Sequence, residues 1–195
     1  MKAISLWQPW ASLIVLGEKK IETRSWYTAY RFPVLIHAAK RKNLSEMEEL
    51  AEYDEYVEAL QSFIPADAKS MTVKQMMNAM PYGAIIGKAT LSDCRTTRSV
   101  TPELSKKELM LGNYEPGRYA WILKNPVMFK EPIPYKGEQG FFNVPDELIE
   151  SCTRDTFECV ACKNVCQKGK AEDEADELGL EYDPICDDCN AVRLR

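Results

Sequence analysis

The sequence predicts an α+β fold: a small mixed or antiparallel β-barrel flanked by helices, plus a small zinc-binding C-terminal module. Three observations carry this. The 195 residues give room for one ordinary domain and an appendage, and 45% apolar content is enough for a core. Strand-like and helix-like patterns follow the order strand, helix, two strands, helix and then several strands. Composition shifts at residues 145–151, beyond which lie six of the seven cysteines, an acidic run and a basic end. We place the barrel domain at 1–148 and the cysteine-rich tail at 149–195.

The elements follow in order. "KAISLW" reads as a strand. "QPWASLIVLG" reads as a helix, with Pro9 at its first position, where a missing N–H costs nothing. Trp10, Leu13 and Ile14 have the spacing of one buried face, and Gly17 is a C-terminal stop. "KIETRSW" alternates as a strand, with Ile21, Thr23 and Ser25 on one side and Glu22, Arg24 and Trp26 on the other. "FPVLIHAAK" is a more buried strand. Residues 44–64 form a helix with acidic exposed positions, and 73–80 a second helical stretch. "GAIIGKATLSDC" is a strand. A short helix starts at Thr101 or Pro102 and reaches Leu111. "GRYAWILKNPVMF" is a strand with Tyr119, Trp121 and Leu123 on one side, and "EPIPYKGEQGFF" a final strand with turns at its prolines and glycines.

Several functional classes are excluded. No apolar run approaches the ~20 residues that span a bilayer. The N-terminus lacks a secretory pattern, which places the protein in the cytoplasm. No nucleotide-triphosphate loop or dinucleotide fingerprint is present. His37 is the only histidine. With no suitable serine beside it in sequence, a catalytic triad has no support, and a hydrogen-bonded structural role or a place in a cleft wall remains.

The net charge of −5 conceals its distribution. Residues 1–150 hold 19 basic and 19 acidic residues, and residues 151–195 hold 6 and 11. Seven of the acids lie within residues 46–58, without a base; the rest of residues 1–150 carries +7. An anionic partner is therefore compatible with the acidic total. Lys40, Arg41 and Lys42 form one basic cluster, either a solvated loop or a rim that contacts phosphate.

Chemistry concentrates in residues 5–26, "SLWQPWASLIVLGEKKIETRSW". Just after Gly17 the chain offers Lys19, Glu22 and Arg24. Lysine supplies a mobile point charge, arginine a planar fork of donors, and glutamate an acceptor or proton carrier. A phosphate needs the first two, and a base edge can use the third. Nearby tryptophans could stack on a base, a contact worth ~1–3 kcal/mol.

"GEKKIETR" fits G-x-K-x-x-E-x-R as Gly17, Lys19, Glu22 and Arg24. With "SLWQPWASLIVLG" before it and "RSWYTAYR", "VLIHAAK", "GAIIGKATLSDC", "YAWILKNP" and "PIPYKGEQGFF" after it, the chain resembles the ASCH (activating signal cointegrator homology) domain of the PUA-like superfamily over about residues 1–145. The resemblance implies a PUA-like barrel with a cleft lined by the motif. It implies RNA or another nucleic acid, a nucleotide or a modified nucleoside as ligand, in RNA processing or transcription coactivation. The residues expected to bind it are Trp7, Gln8, Lys19, Glu22, Arg24, Trp26, His37 and Lys40. Some compact members deacylate N4-acetylcytidine, using the motif lysine, a hydroxyl three places later and a carboxylate from elsewhere. Here Glu22 stands where that hydroxyl would be, and Thr23 should face the other way. Were this chain such a hydrolase or a nuclease, Lys19 and Glu22 would move protons.

In the tail, Cys159 and Cys162 form one Cys-x-x-Cys pair and Cys186 and Cys189 another, with 23 residues between the pairs. Two residues between thiolates let both sulfurs reach one tetrahedral ion, so the pattern predicts a structural Zn2+ with no open position. Cys166 could replace a member of the first pair, and Cys94 and Cys152 have no assigned role. The acidic stretch between the pairs would repel a phosphate backbone, so the tail fits a docking module for a protein partner.

Overall fold

The computed structural model describes residues 1–42, 52–61, 71–149, 156–158 and 165–167. The chain divides into two units, Met1–Pro145 and Asp146–Arg195. In the first, alternating and wholly apolar segments pair into one sheet. Its strands are β1 (Lys2–Leu6), β2 (Ile21–Arg24), β3 (Pro33–Ala38), β4 (Ala84–Thr96), β5 (Tyr119–Pro134) and β6 (Phe141–Asn143), in the order β2-β5-β4-β3-β1-β6. Only β1 and β3 run parallel. β3 is buried from Val34 to Ala38, as a strand covered on both faces must be.

β4 and β5 are long, at 13 and 16 residues. Their register shifts between Ile85 and Gly87, Lys88 and Thr90, and Leu91 and Asp93. Such irregularities bend a strand and increase its twist, which curls the sheet. Closure stops short of the barrel expected from sequence. β2 and β6 stay unpaired with each other, so the described sheet is a half-barrel. Rings fill the gap. Trp121 of β5 stacks on Phe141 of β6 with centroids 5.2 Å apart, and Trp26 meets both edge-on at 4.6 and 5.6 Å. Paired strands must approach to ~4.8 Å, which interposed rings prevent.

The helices are α1 (Trp10–Val15), α2 (Asp54–Gln61), α3 (Val73–Ala79), α4 (Thr97–Val100) and α5 (Lys106–Met110), with a 3-10 turn at Thr101–Glu103. The sequence gives α1 one buried face, but Ala11 to Val15 are all buried. The reason is that α1 lies between two cores. Ile14 and Val15 join Ile36, Ile86, Leu91 and Trp121 of the sheet. Leu13 joins Tyr56, Leu60, Met76, Met77 and Leu111 of the helical layer. Of the helix expected over 44–64, residues 52–61 are described: 52 and 53 form a turn and bend, and 54–61 are α2; the rest lies outside the described residues. α3 starts at a capping box made by Thr72 and Gln75.

The single helix expected up to Leu111 is divided. Leu104 is extended, and the Ser105 hydroxyl accepts the Glu108 N–H at 3.1 Å, restarting the chain as α5. The final strand expected over 131–142 is also divided, between the end of β5 and β6. Among the described residues no helix is long and apolar enough to cross a membrane.

In the second unit, β7 (Thr156–Glu158) and β8 (Val165–Gln167) pair antiparallel, with Phe157 opposite Cys166. Cys152, Cys159, Cys162, Cys186 and Cys189 lie outside the described residues. Cys94 is a buried free thiol in the sheet core.

α1 packs tightly against the sheet at Gly87. A Cβ there would lie 2.2 Å from the Val127 carbonyl oxygen and 2.7 Å from Val15 Cγ1. Gly87→Ala is expected to lower unfolding stability by about 1–3 kcal/mol, seen as a lower urea midpoint. An unchanged midpoint would show that α1 and β5 can yield there at no cost.

Candidate functional site

The site begins where α1 stops. Gly17 has φ +80°, and its N–H bonds the Ile14 carbonyl at 3.0 Å. This left-handed turn suits glycine and reverses the chain. The Lys19 N–H then reaches the Leu13 carbonyl at 3.0 Å, and its side chain passes under the helix, leaving Lys19 only 2% exposed. The ammonium donates to the Leu111 carbonyl. It lies 4.0 Å from Glu22 Oε2 and 5.7 Å from the Trp10 ring centroid. Burial lowers the Lys19 pKa from 10.5, although the charges of Glu22 and Glu108 act to raise it. Glu108 is itself bound, accepting the N–H groups of Lys20 and Ile21 at 3.0 Å each and the Tyr114 hydroxyl at 3.3 Å. Burial, and then Glu108, hold the Tyr114 phenol well above its ordinary pKa.

β2 presents the rest of the motif. Ile21 and Thr23 are buried, while Glu22 and Arg24 alternate with them and stay partly exposed. Glu22 Oε1 is 3.2 Å from Arg24 Nε, so this carboxylate stands between two cations. A terminal nitrogen of Arg24 donates to the Ser5 carbonyl at 3.0 Å, and its guanidinium lies 6.0 Å from the Trp121 ring centroid. Arg118, just before β5, donates to the Thr23 carbonyl at 3.1 Å. The Nε–H groups of Arg24 and Arg118 are both buried without a hydrogen-bond acceptor. For Arg24 the Glu22 contact is a charge contact that lacks hydrogen-bond alignment.

Two adjoining hollows open on these groups. One, of about 380 Å3, is walled by Trp7, Trp10, Glu22, Arg24, Trp26 and Arg118. The other, of about 350 Å3, is walled by Trp10, Lys19, Glu22, Leu111, Asn113 and Arg118. Three cations face one carboxylate across them, and with Glu108 counted the surroundings remain positive. An anion is favoured there. The indoles of Trp7 and Trp26 are 42% and 37% exposed, so apolar rings border the charges. Among the described residues no group of three or more metal-ligating side chains occurs.

The structure brings together Trp7, Lys19, Glu22, Arg24 and Trp26 of the residues expected from sequence. Gln8 is elsewhere and 2% exposed. Its amide accepts the Ser12 N–H at 3.1 Å and donates to Ser12 Oγ at 2.8 Å and the Pro81 carbonyl at 2.9 Å, clamping the start of α1. His37 and Lys40 line a separate cleft of about 840 Å3. That cleft is larger than either hollow but holds none of Lys19, Glu22 and Arg24, so volume and motif chemistry point to different places. His37 Nε2 lies 3.0 Å from the Tyr135 carbonyl and Nδ1 3.0 Å from Ser5 Oγ. A carbonyl only accepts, so Nε2 carries the proton and Nδ1 accepts from the serine. Burial lowers the His37 pKa, which favours this neutral form.

No serine neighbours His37 in the sequence, but the parallel register of β1 and β3 puts Ser5 directly opposite it. Arg118, Glu108 and Tyr114 were also missed. Only Arg118 had a local signal, as a charge between Gly117 and a buried strand.

The ASCH domain profile matches residues 4–133. Activating signal cointegrator 1 of Mus musculus is 28% identical over 155 residues, which cover 77% of this chain and 23% of that protein. The Homo sapiens protein of the same name matches equally, at 28% over 155 residues. The chain thus spans less than a quarter of either relative. Among solved structures, an ASCH protein from Zymomonas mobilis is 16% identical with TM-score 0.38, covering 91% of this chain and 93% of that one. A point mutant of it aligns at 15% identity with the same TM-score, covering 93% and 98%. Two thirds of the chain, including the whole G-x-K-x-x-E-x-R segment, falls within the matched profile: this chain belongs to the ASCH domain family.

Proposed function

We propose that the domain binds nucleic acid in the hollows around Lys19, Glu22 and Arg24. The observation that carries this is the convergence of Lys19, Arg24 and Arg118 on space bordered by two exposed indoles. A phosphate takes the guanidinium groups, whose planar forks suit its oxygens. Glu22 offers an acceptor for a base N–H, and Trp7 or Trp26 a face for stacking. Family membership and the curated relatives, named as signal cointegrators, support the same class of ligand.

Binding of a labelled single-stranded RNA by fluorescence anisotropy is expected to weaken steeply with salt. Arg24→Ala and Arg118→Ala each remove a charge-assisted contact and should cost about tenfold or more in affinity. Trp7→Ala should cost ~1–3 kcal/mol. Wild-type affinity in all three variants, with circular dichroism unchanged, would refute the proposal.

An enzymatic reading draws on one observation, the lowered pKa of buried Lys19, which suits a proton carrier. Glu22 stands where such a reaction would need a hydroxyl, and Thr23, which alternates with Glu22 on β2 and is 7% exposed, lines both hollows without a hydrogen bond from its hydroxyl to Lys19. The titration is testable by itself. The folded pKa lies below the unfolded value, so the unfolded chain binds more protons between them and stability rises with pH in that interval. The stability of wild type relative to Lys19→Met should therefore increase as the pH rises toward 10.5, as read by urea unfolding. A gap that is constant with pH would show that the ammonium titrates normally.

We further propose that Cys159, Cys162, Cys186 and Cys189 hold one structural zinc. The β7–β8 pair supports this, because positions 159–164 between its strands carry the first Cys-x-x-Cys. The purified chain should contain about one zinc, lost on Cys186→Ser. Metal-free protein with freely reactive thiols would contradict it.

A further inference from the structure

The cleft on the other side of Ser5 has the same chemical character as the motif hollows and no assigned role. Lys40, Arg41 and Lys136 line it against one carboxylate, Glu138, and Tyr82 adds a ring. Lys40 and Lys136 are exposed, and neither has an ion-pair partner among the described residues. The wall that carries Lys136 is fixed in place. Gly137 packs so closely on the floor that a Cβ there would lie 2.4 Å from both Ser5 Oγ and His37 Cε1, and the Tyr135 carbonyl takes the His37 N–H at 3.0 Å.

Two residues connect this cleft to the motif site. Ser5 lines both the cleft and the larger hollow; its carbonyl holds Arg24 at 3.0 Å while its hydroxyl serves His37 on the cleft side. Arg41, in the cleft wall, lies 5.3 Å from the ring centroid of Trp7, which lines the hollow. The boundary between the sites is therefore itself a cation on an exposed ring. Positive charge runs from Arg118 and Arg24, over Trp7 and Arg41, to Lys40 and Lys136.

We infer that the cleft is a second phosphate-binding subsite on one track, and that the ligand is a single strand of several nucleotides rather than a free nucleoside or mononucleotide. This rests on the nucleic-acid reading of the motif hollows. A mononucleotide satisfies only the motif cations. A strand places one phosphate at Arg24 and Arg118 and a later one at Lys40 and Lys136, with Trp7 and Arg41 between them as a stacking ridge. A mobile lysine tolerates varied phosphate positions, so this part of the track reads the backbone and not the sequence.

The probes are fluorescein-labelled oligouridylate of about ten nucleotides, within the usual span of single-strand sites, and uridine 5′-monophosphate. The wild-type chain should bind the oligomer at least about tenfold more tightly than the monomer. Lys40→Glu and Lys136→Glu, both at exposed positions, should weaken oligomer binding by about tenfold each and make its salt dependence shallower by about one phosphate contact. Monophosphate affinity should stay at the wild-type value. Oligomer binding that ignores both substitutions but is lost in Arg24→Ala would overturn the second subsite and leave the motif site standing. A monomer that binds as tightly as the oligomer would overturn it too. Failure of wild type to bind either probe would overturn both readings.

Discussion

An ammonium withdrawn from water is the constraint around which this domain is arranged. Burying a charge costs several kcal/mol unless partners are supplied. Lys19 receives them from three elements: a carbonyl that follows α5, a carboxylate on β2 and the ring that opens α1. Each partner must be held in place, so the turn at Gly17, the start of β2 and the segment after α5 are fixed together. Gly112 shows how tight the arrangement is. A Cβ there would come within 2.9 Å of the Tyr114 ring and 3.3 Å of Lys19 Nζ, so a side chain at this position would push on both groups. Glu108 holds the same junction from behind by accepting two successive N–H groups at the entry to β2. The site is thus organised before any ligand arrives, which reduces the ordering cost of binding.

The incomplete barrel contributes to the same site. Closure by hydrogen bonds would leave no room at the β2 edge for Trp26, Trp121 and Phe141 to pack together. Their contacts substitute for strand pairing and leave the Trp26 indole partly open to solvent. Arg24 crosses this edge to the carbonyl of Ser5 on β1, tying the two sides of the opening. Ser5 in turn holds His37 by its hydroxyl, so one small residue couples the motif hollow to the cleft behind it.

The formal charge of −5 is a poor guide to this surface. What a ligand meets is local. Three cations share one carboxylate at the hollows, and three more face one at the cleft. Counter-charges elsewhere on the chain are screened over about 10 Å at moderate salt and do little to oppose this field.

Spacing alone made part of the site legible. Lys19, Glu22 and Arg24 lie within one turn and one strand, so the stop at Gly17 and the alternation of β2 were enough to place Glu22 and Arg24 on a common side. The indoles of Trp7 and Trp26 flank that segment and came with it. Gln8 belongs to the same stretch, but its fate depended on Pro81, 73 residues away, whose carbonyl draws the amide inward. Lys19 finds its carbonyl 92 residues on, and Ser5 meets His37 only because β1 and β3 pair in parallel at one register. Local sequence determined the elements and the motif, because helix stops and strand alternation act over a few residues. Tertiary structure alone decided which distant groups complete the site, because strand pairing and burial join segments whose separation carries no local signal.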